Sequence, residues 1–229
     1  EMLRSLVGSE MCIRDRFNKS AVIELCDDKN KTFLYLSGKN IPMPETITSP
    51  LLYPAFDDTD GLFADSVEKR LGYPMVVKEA YGSFGAQVYL AKNRSELDAL
   101  RNRLKYMPHL YQRYVKNSSG EDIRIIVVGG KAVAAMKRKN KGDFRANIEL
   151  GGVGEKYIPS SEQVELSERI CRLLGADYIG VDLLFDKDKT LLCEVNTNAH
   201  FMFISDCTGV DVAELYIGHV MEEIYGRAD

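Results

Sequence analysis

Asp182, Glu194 and Asn196 are the residues of this chain whose types and spacing most suggest chemistry. They lie in YIGVDLLFDKDKTLLCEVN, residues 178–196, where two apolar runs, 179–185 and 191–195, flank the polar stretch 186–189. That is the outline of a β-hairpin. A three-residue loop, 187–189, sets Asp182 across from Glu194. Alternation then puts Gly180, Asp182, Glu194 and Asn196 on one face. The other face carries Val181, Leu183, Phe185, Leu191, Cys193 and Val195 and is apolar throughout. A one-residue slip would scatter both sets. Two carboxylates and an amide converging from rigid strands suit Mg²⁺, which takes a few carboxylates plus substrate phosphates. A hairpin with ordinary solvent-facing acids has the same spacing.

A second group of residues suits phosphate. Lys78 ends an apolar run and precedes Tyr81-Gly82-Ser83-Phe84-Gly85. Glycines let backbone N–H groups approach an anion, and an ammonium adds charge. No Gly-Lys-Ser/Thr follows, so this is not a Walker A loop; a glycine-bearing turn beside a surface lysine has the same letters. Arg138, Arg145 and Asn147 fall in a polar loop among lysines, 136–152. Arginine presents a planar fork for phosphate or carboxylate; a solvated basic loop is the plain alternative. The stretch 113–122 ends in Glu121-Asp122 before an apolar strand. An acid there either holds ribose hydroxyls, as in dinucleotide sites, or caps a turn. The set as a whole is the inventory of Mg-ATP chemistry, where positioning and charge neutralisation do most of the catalysis.

The elements that must position these residues follow in order. Asp27 or Asp28 caps a helix running to Leu36, with Gly38 as its αL stop. Residues 45–61 read as loop with an acidic cluster at 57–60, and a helix over 62–71 closes at Gly72 and Pro74. Strand, loop and strand follow over 74–91, then a helix begun by Ser95 with Asp98. A strand over 109–115 and a turn at 117–120 lead to a hairpin, 123–128 and 132–136, across Gly129-Gly130. Ser160 or Ser161 caps a helix ended by Gly175, and Asp211 caps the last one. Helices interleaved with antiparallel hairpins, with no G-x-G-x-x-G opening a helix, make an α+β chain of two lobes, near 62–112 and 113–225.

Composition removes several function classes. The 229 residues carry net charge -4, so there is no general electrostatic footprint for nucleic acid. No apolar run approaches the roughly 20 residues that span a bilayer. The five cysteines are scattered without a CxxC pair, which suits a reduced, cytoplasmic setting rather than a disulfide framework. Residues 1–16 do not read like the start of a domain and are taken as a non-native leader, with 17–61 as the tail of an N-terminal region and linker.

The ordered series DKNKT with IPMPET, YPMVVKEAYGSFG, EDIRIIVVGGKAVAAMKR, GDFRANIELGG and GVDLLF followed by CEVN resembles the ATP-grasp carboxylate–amine ligases, specifically the RimK-type glutamate ligases. The likeness runs from about Phe17 to Gly226. It implies an ATP-grasp fold, with two α+β lobes gripping ATP: a small lobe at 62–112 and a large lobe with the metal site at 113–229. By this resemblance Lys29 and Lys78 reach the ATP phosphates, and the backbone of Arg113 and Tyr114 meets adenine at the interlobe hinge. Asp122 holds ribose. Arg145 and Asn147 contact the nucleotide and metal region, and Asp182, Glu194 and Asn196 are the ligands of Mg²⁺ (or Mn²⁺). Arg138 and Arg145 stabilise the transferring phosphoryl group and the tetrahedral oxyanion.

The implied reaction is ATP-dependent amide formation between a small-molecule or peptide carboxylate and an amino acid, glutamate by resemblance, through an acyl phosphate. Neither nucleic acid nor membrane is implied as a partner. Three features depart from the pattern. Gln87 stands where a further glycine is usual, Thr-Asn-Ala-His follows Asn196, and the family's N-terminal domain has only a tail's length of chain here. The last departure keeps a rival open, an ATP-binding module without ligase activity; a kinase that stops at phosphoryl transfer is a third expectation.

Overall fold

A computed structural model describes residues 17–52 and 61–226. The 1–16 leader and the acidic 57–60 cluster lie outside the described residues. The chain begins with helices α1 (Ser20–Asp27) and α2 (Lys29–Leu36), then strand β1 (Thr46–Thr48), helix α3 (Leu62–Leu71), strands β2 (Met75–Glu79) and β3 (Val88–Ala91), helix α4 (Arg94–Arg103) and strand β4 (His109–Arg113). It continues through β5 (Glu121–Val128), β6 (Lys131–Lys139), β7 (Val153–Lys156), helix α5 (Ser161–Leu174), β8 (Tyr178–Asp186), β9 (Lys189–Asn196), α6 (Met202–Thr208) and α7 (Val212–Tyr225).

Local chemistry sets most of these boundaries. The Asp28 carboxylate accepts from the backbone N–H of Asn30 and Lys31 and so starts α2. Ser160 and Gln163 form a reciprocal capping box at α5, which ends on Gly175 at φ 67°. Asp211 caps α7. At α4 the cap is Asn93, whose side chain accepts from Glu96 N, and not Ser95, which lies inside the helix. Three elements lack a strong sequence signal: β1 is three residues long, β7 is a polar edge strand, and α6 has no side-chain cap.

The strands form two antiparallel sheets, of order β1-β4-β2-β3 and β7-β6-β5-β8-β9. The four-stranded sheet thus reaches back to Thr46, upstream of residue 62. Its helices α3 and α4 bury Ala64, Val67, Leu71 and Leu97 against Met75, Val77, Ala91 and Tyr111. In the five-stranded sheet alternation along β5 divides two layers. Ile123, Ile125 and Val127 pack with Leu166, Ile170 and Leu174 of α5 and with Val22 and Leu36 from the two leading helices. Ile126 and Val128 point to the other face, under Ile204 of α6 and Val212 of α7. That second face is apolar only along half of β5: its other two positions are Asp122 and Arg124, both at the end of the strand that meets the smaller sheet. A buried sheet face that turns from apolar to charged marks where the site must lie.

Candidate active site

The β8–β9 hairpin places Gly180 opposite Asn196 and Asp182 opposite Glu194, the pairing expected from the alternation. The route to that register differs from the three-residue loop. The turn holds two residues, Lys187 and Asp188, with Lys187 at φ 56°, and pairing starts at Asp186 and Lys189. A register shift at Asp182/Leu183 then makes Cys193 an extra residue of β9. This β-bulge restores the expected pairing at the site and changes the faces on the turn side. Leu192 joins Leu183 in the cluster under α5, and Leu191, also buried, lies outside that cluster. Cys193 leaves the apolar face for the cleft, where its Sγ lies 3.6 Å from Lys78 Nζ.

Arg138 is not in a loop. It is part of β6, directly opposite Asp122, and its side chain is 3% exposed. A second bulge, at Ile126/Val127, produces this pairing; a plain ladder from the Gly129-Gly130 turn would set Lys137 there and send Arg138 to the other face. Arg138 donates to both oxygens of Asp122 at 2.6 Å and lies 2.9 Å from Asp182. Asp182 in turn accepts from Nε and Nη2 of Arg124, its neighbour across β5, at 2.7 Å each. Four charges therefore run Asp122–Arg138–Asp182–Arg124 on one buried face. Burial by itself raises the Asp182 carboxyl, but Arg124 and Arg138 outweigh it and hold the group at about 2. Asp122, with Arg138 as its paired guanidinium and Asp182 nearby, is raised by burial above the usual carboxylate range.

Across the cleft, Lys78 of β2 is buried, and its Nζ forms no ion pair among the described residues, having the Cys193 thiol as its neighbour. Burial raises the Cys193 thiol, and Lys78 opposes that shift. Lys29, the first residue of α2, donates to the Gly82 carbonyl at 2.9 Å and lies 3.4 Å from Glu194. Arg145 is fixed by Asp143 and donates Nη1 to the Gly85 carbonyl at 2.6 Å. A Cβ on Gly85 would meet Asn147 Oδ1 at 2.8 Å, so glycine is needed for the loop to seat on Asn147. The loop 80–87 is thus pinned over the cleft from both flanks. Gln87 turns inward and fills the space over Gly82, where a Cβ would meet its side chain at 2.3 Å. Arg113 ends β4, and its side chain pairs with Asp186 at 3.0 Å. Tyr114 stands at the crossing between sheets, its ring edge-on to Phe144.

Two hollows meet at this junction. The smaller, about 90 Å³, gathers Lys78, Arg113, Tyr114, Asp122, Arg138, Arg145 and Asn147 around Asp182 and Glu194. The larger, about 730 Å³, shares Asp182, Glu194, Gly85 and Asn147 and adds Lys29, Arg124, Asn196 and residues 197–201. Every residue to which the resemblance gave a role toward ATP or metal lines one or both. His200 lies in the larger one, its ring edge-on to Phe84 of the pinned loop at 5.3 Å. Arg124 and Cys193 were not singled out. Arg124 shares a strand face with Asp122, which the Asp-Ile-Arg alternation signals; the bulge that turns Cys193 has no such signal.

The chain matches known proteins along most of its length. The model of the RimK-like ATP-grasp domain matches residues 26–220. Beta-citrylglutamate synthase B of Danio rerio is 34% identical over 213 residues, 92% of this chain and 51% of that protein. N-acetylaspartylglutamate synthase A of Homo sapiens is 33% identical over 92% of this chain and 53% of that protein. The chain therefore spans about half the length of these curated relatives. The solved structure of the ATP-grasp ligase PsnB with a minimal precursor superposes with a TM-score of 0.73 at 20% identity, covering 97% of this chain and 68% of PsnB. The fold is ATP-grasp, and the chain belongs to the RimK-like ATP-grasp domain family.

Proposed function

We propose that this chain catalyses ATP- and Mg²⁺-dependent ligation of a carboxylate to the amino group of an amino acid, with glutamate as the amine. The observation that carries the reading is Lys78: a buried ammonium with no carboxylate partner among the described residues, facing a hairpin that carries two acids and an amide. A buried charge is costly unless an opposite charge joins it, and a nucleotide phosphate would do so. Lys29 would give a second ammonium once released from the Gly82 carbonyl. Relatives named as synthases of beta-citrylglutamate and N-acetylaspartylglutamate support glutamate as one partner. A PsnB structure described with Mg and ADP supports the cofactor pair.

The residues present fit a hard divalent cation, Mg²⁺ or Mn²⁺. Asp182, Glu194 and Asn196 offer oxygen donors from two adjacent strands, and three of the roughly four lone-pair sites of Asp182 are engaged by arginine, leaving one. The Asn196 Nδ2 is buried without a partner among the described residues, and turning that amide over would aim its oxygen at the ion in place of an unpaired donor. The ion would neutralise phosphate charge and polarise the transferred phosphoryl group. An oxygen of the substrate carboxylate attacks the terminal phosphorus of ATP and ADP leaves. The amine then attacks the acyl carbon, phosphate leaves with the C–O bond electrons, and the nitrogen loses a proton. Arg138 and Arg145 would meet the charge on the phosphoryl group and the oxyanion; losing one such donor costs on the order of 10²–10³ in rate. Nucleotide of ordinary size needs more than the smaller hollow provides, so the loop 80–87 would lift as Arg145 lets go of Gly85.

Incubation with ATP, Mg²⁺, glutamate and a carboxylate panel including citrate and N-acetylaspartate tests this directly. ADP release together with an amide of the expected mass supports it. Tight nucleotide binding without ADP release would replace it with a binding module, and ADP release without amide would replace it with a kinase.

A further inference from the structure

Arg124 has two edges, and its known contacts use only one. Nε and Nη2 form a side-on fork to Asp182 at 2.7 Å each. A guanidinium carries five N–H groups, so the end-on edge of Nη1 and Nη2 keeps its own pair of donors. No protein acceptor meets Nη1 among the described residues, and Arg124 lines the larger hollow rather than the smaller. Arg138, its counterpart on Asp182, lines the smaller. The two guanidinia on one carboxylate therefore face opposite sides of the junction.

The surroundings hold Arg124 in that pose. Gly180 lies beneath it: an added Cβ would come within 3.8 Å of Arg124 Cδ and 2.5 Å of Ala199 Cβ. The missing side chain gives the arginine stem its seat and lets residues 197–201 close over it. The side-on pair with Asp182 fixes the guanidinium plane, so a bidentate partner at the free edge loses little further freedom. The other acids on the wall of the larger hollow, Asp27, Glu149 and Glu194, make no ion pair to Arg124 among the described residues, and Glu194 faces Lys29 instead.

We propose that the free edge of Arg124 is the clamp for the carboxylate that becomes phosphorylated, a planar dioxygen anion taken end-on from the larger hollow. This rests on the ligase reading and adds to it the residue that receives the acceptor. Because Asp182 grips the adjoining edge, which shares Nη2, a carboxylate clamped there lies beside the proposed metal ligand on the same guanidinium. That is where its oxygen must be to meet a phosphoryl group delivered from the smaller hollow. Lysine keeps a positive charge for Asp182 but has no end-on fork, so Arg124→Lys separates the clamp from the ion pair.

The experiment measures half-saturating carboxylate and Mg-ATP affinity for wild type, Arg124→Lys and Arg124→Gln, with hydroxylamine as the amine so that acyl phosphate is trapped as hydroxamate. The clamp predicts an increase of about 10- to 100-fold in half-saturating carboxylate for Arg124→Lys, with Mg-ATP affinity held within about threefold. Unchanged carboxylate saturation overturns it, as does an equal loss in both affinities, which would make Arg124 a support for Asp182 alone. If the variants do not fold, phenylglyoxal labelling of wild type with peptide mapping decides: citrate or N-acetylaspartate in the presence of Mg-ATP should protect Arg124 and leave Arg113 labelled. Absence of protection at Arg124 overturns the clamp. Failure of wild type to bind Mg-ATP overturns the ligase reading instead, and that is read separately.

Discussion

Arg138 holds two buried acids apart. Each carboxylate of Asp122 and Asp182 would be costly alone, and the guanidinium satisfies both at once. Arg138→Leu therefore leaves a raised, buried Asp122 with no paired guanidinium, and should cost about 3–5 kcal/mol in urea unfolding. Adding Asp122→Asn should recover much of that loss. A single-variant cost below about 1 kcal/mol would mean that the pairing contributes little. A second residue carries a pH signal. His109 is buried, with Nδ1 2.7 Å from the Met107 carbonyl and Nε2 2.7 Å from the Tyr111 hydroxyl, so its neutral form donates at Nδ1 and accepts at Nε2. Burial lowers its folded pKa below 6.5. A depressed folded pKa gives stability that is present above the unfolded value and lost as pH falls through the folded one. The free energy of unfolding should accordingly fall below pH 6.5, by up to about 1.4 kcal/mol per pH unit, and His109→Gln should flatten that slope. Parallel curves for the two proteins would contradict the assignment.

At the scale of elements, two hairpins share one device. Each carries a bulge partway along, and each bulge sets which side chains face the cleft at the open end. Alternation made the Asp182–Glu194–Gly180–Asn196 face legible, because the open end of β8–β9 obeys it. The compensating pair of a two-residue turn and an extra Cys193 was not legible, since a three-residue loop gives the same pairing at the site. Arg138 shows the opposite case: only a bulge that no residue type announces brings it across from Asp122. Helix boundaries at Asp28, Ser160, Gly175 and Asp211 were legible because capping is local chemistry. The edge strands β1 and β7 were not, being short or polar and held by their neighbours. The turn itself gives a prediction. Lys187 sits at φ 56°, a conformation that costs an L-residue about 1–2 kcal/mol and that asparagine tolerates better. Lys187→Asn should raise the melting temperature by an amount matching several tenths of a kcal/mol. An unchanged or lower value would show that the turn bears no such strain.

Over the whole molecule, the two sheets present unlike halves of one site. The smaller sheet brings Lys78 and the loop 80–87, and the larger brings Asp182, Glu194 and Asn196 of the β8–β9 hairpin with their arginines. The loop is fixed to the larger half through Arg145 and, by an aromatic contact, through His200. Neither half binds a nucleotide in the proposed way without the other. The described helices include none long and apolar enough to cross a membrane.

The most direct test of the central claim is the shift in melting temperature on adding ATP with and without Mg²⁺, for the wild type and for Glu194→Ala. Ligand at 100 times its Kd stabilises by about 2.7 kcal/mol. A clear rise that needs the metal is expected for wild type, and its loss in Glu194→Ala. A rise of equal size without Mg²⁺ or in the variant, or no rise in folded wild-type protein, would contradict it.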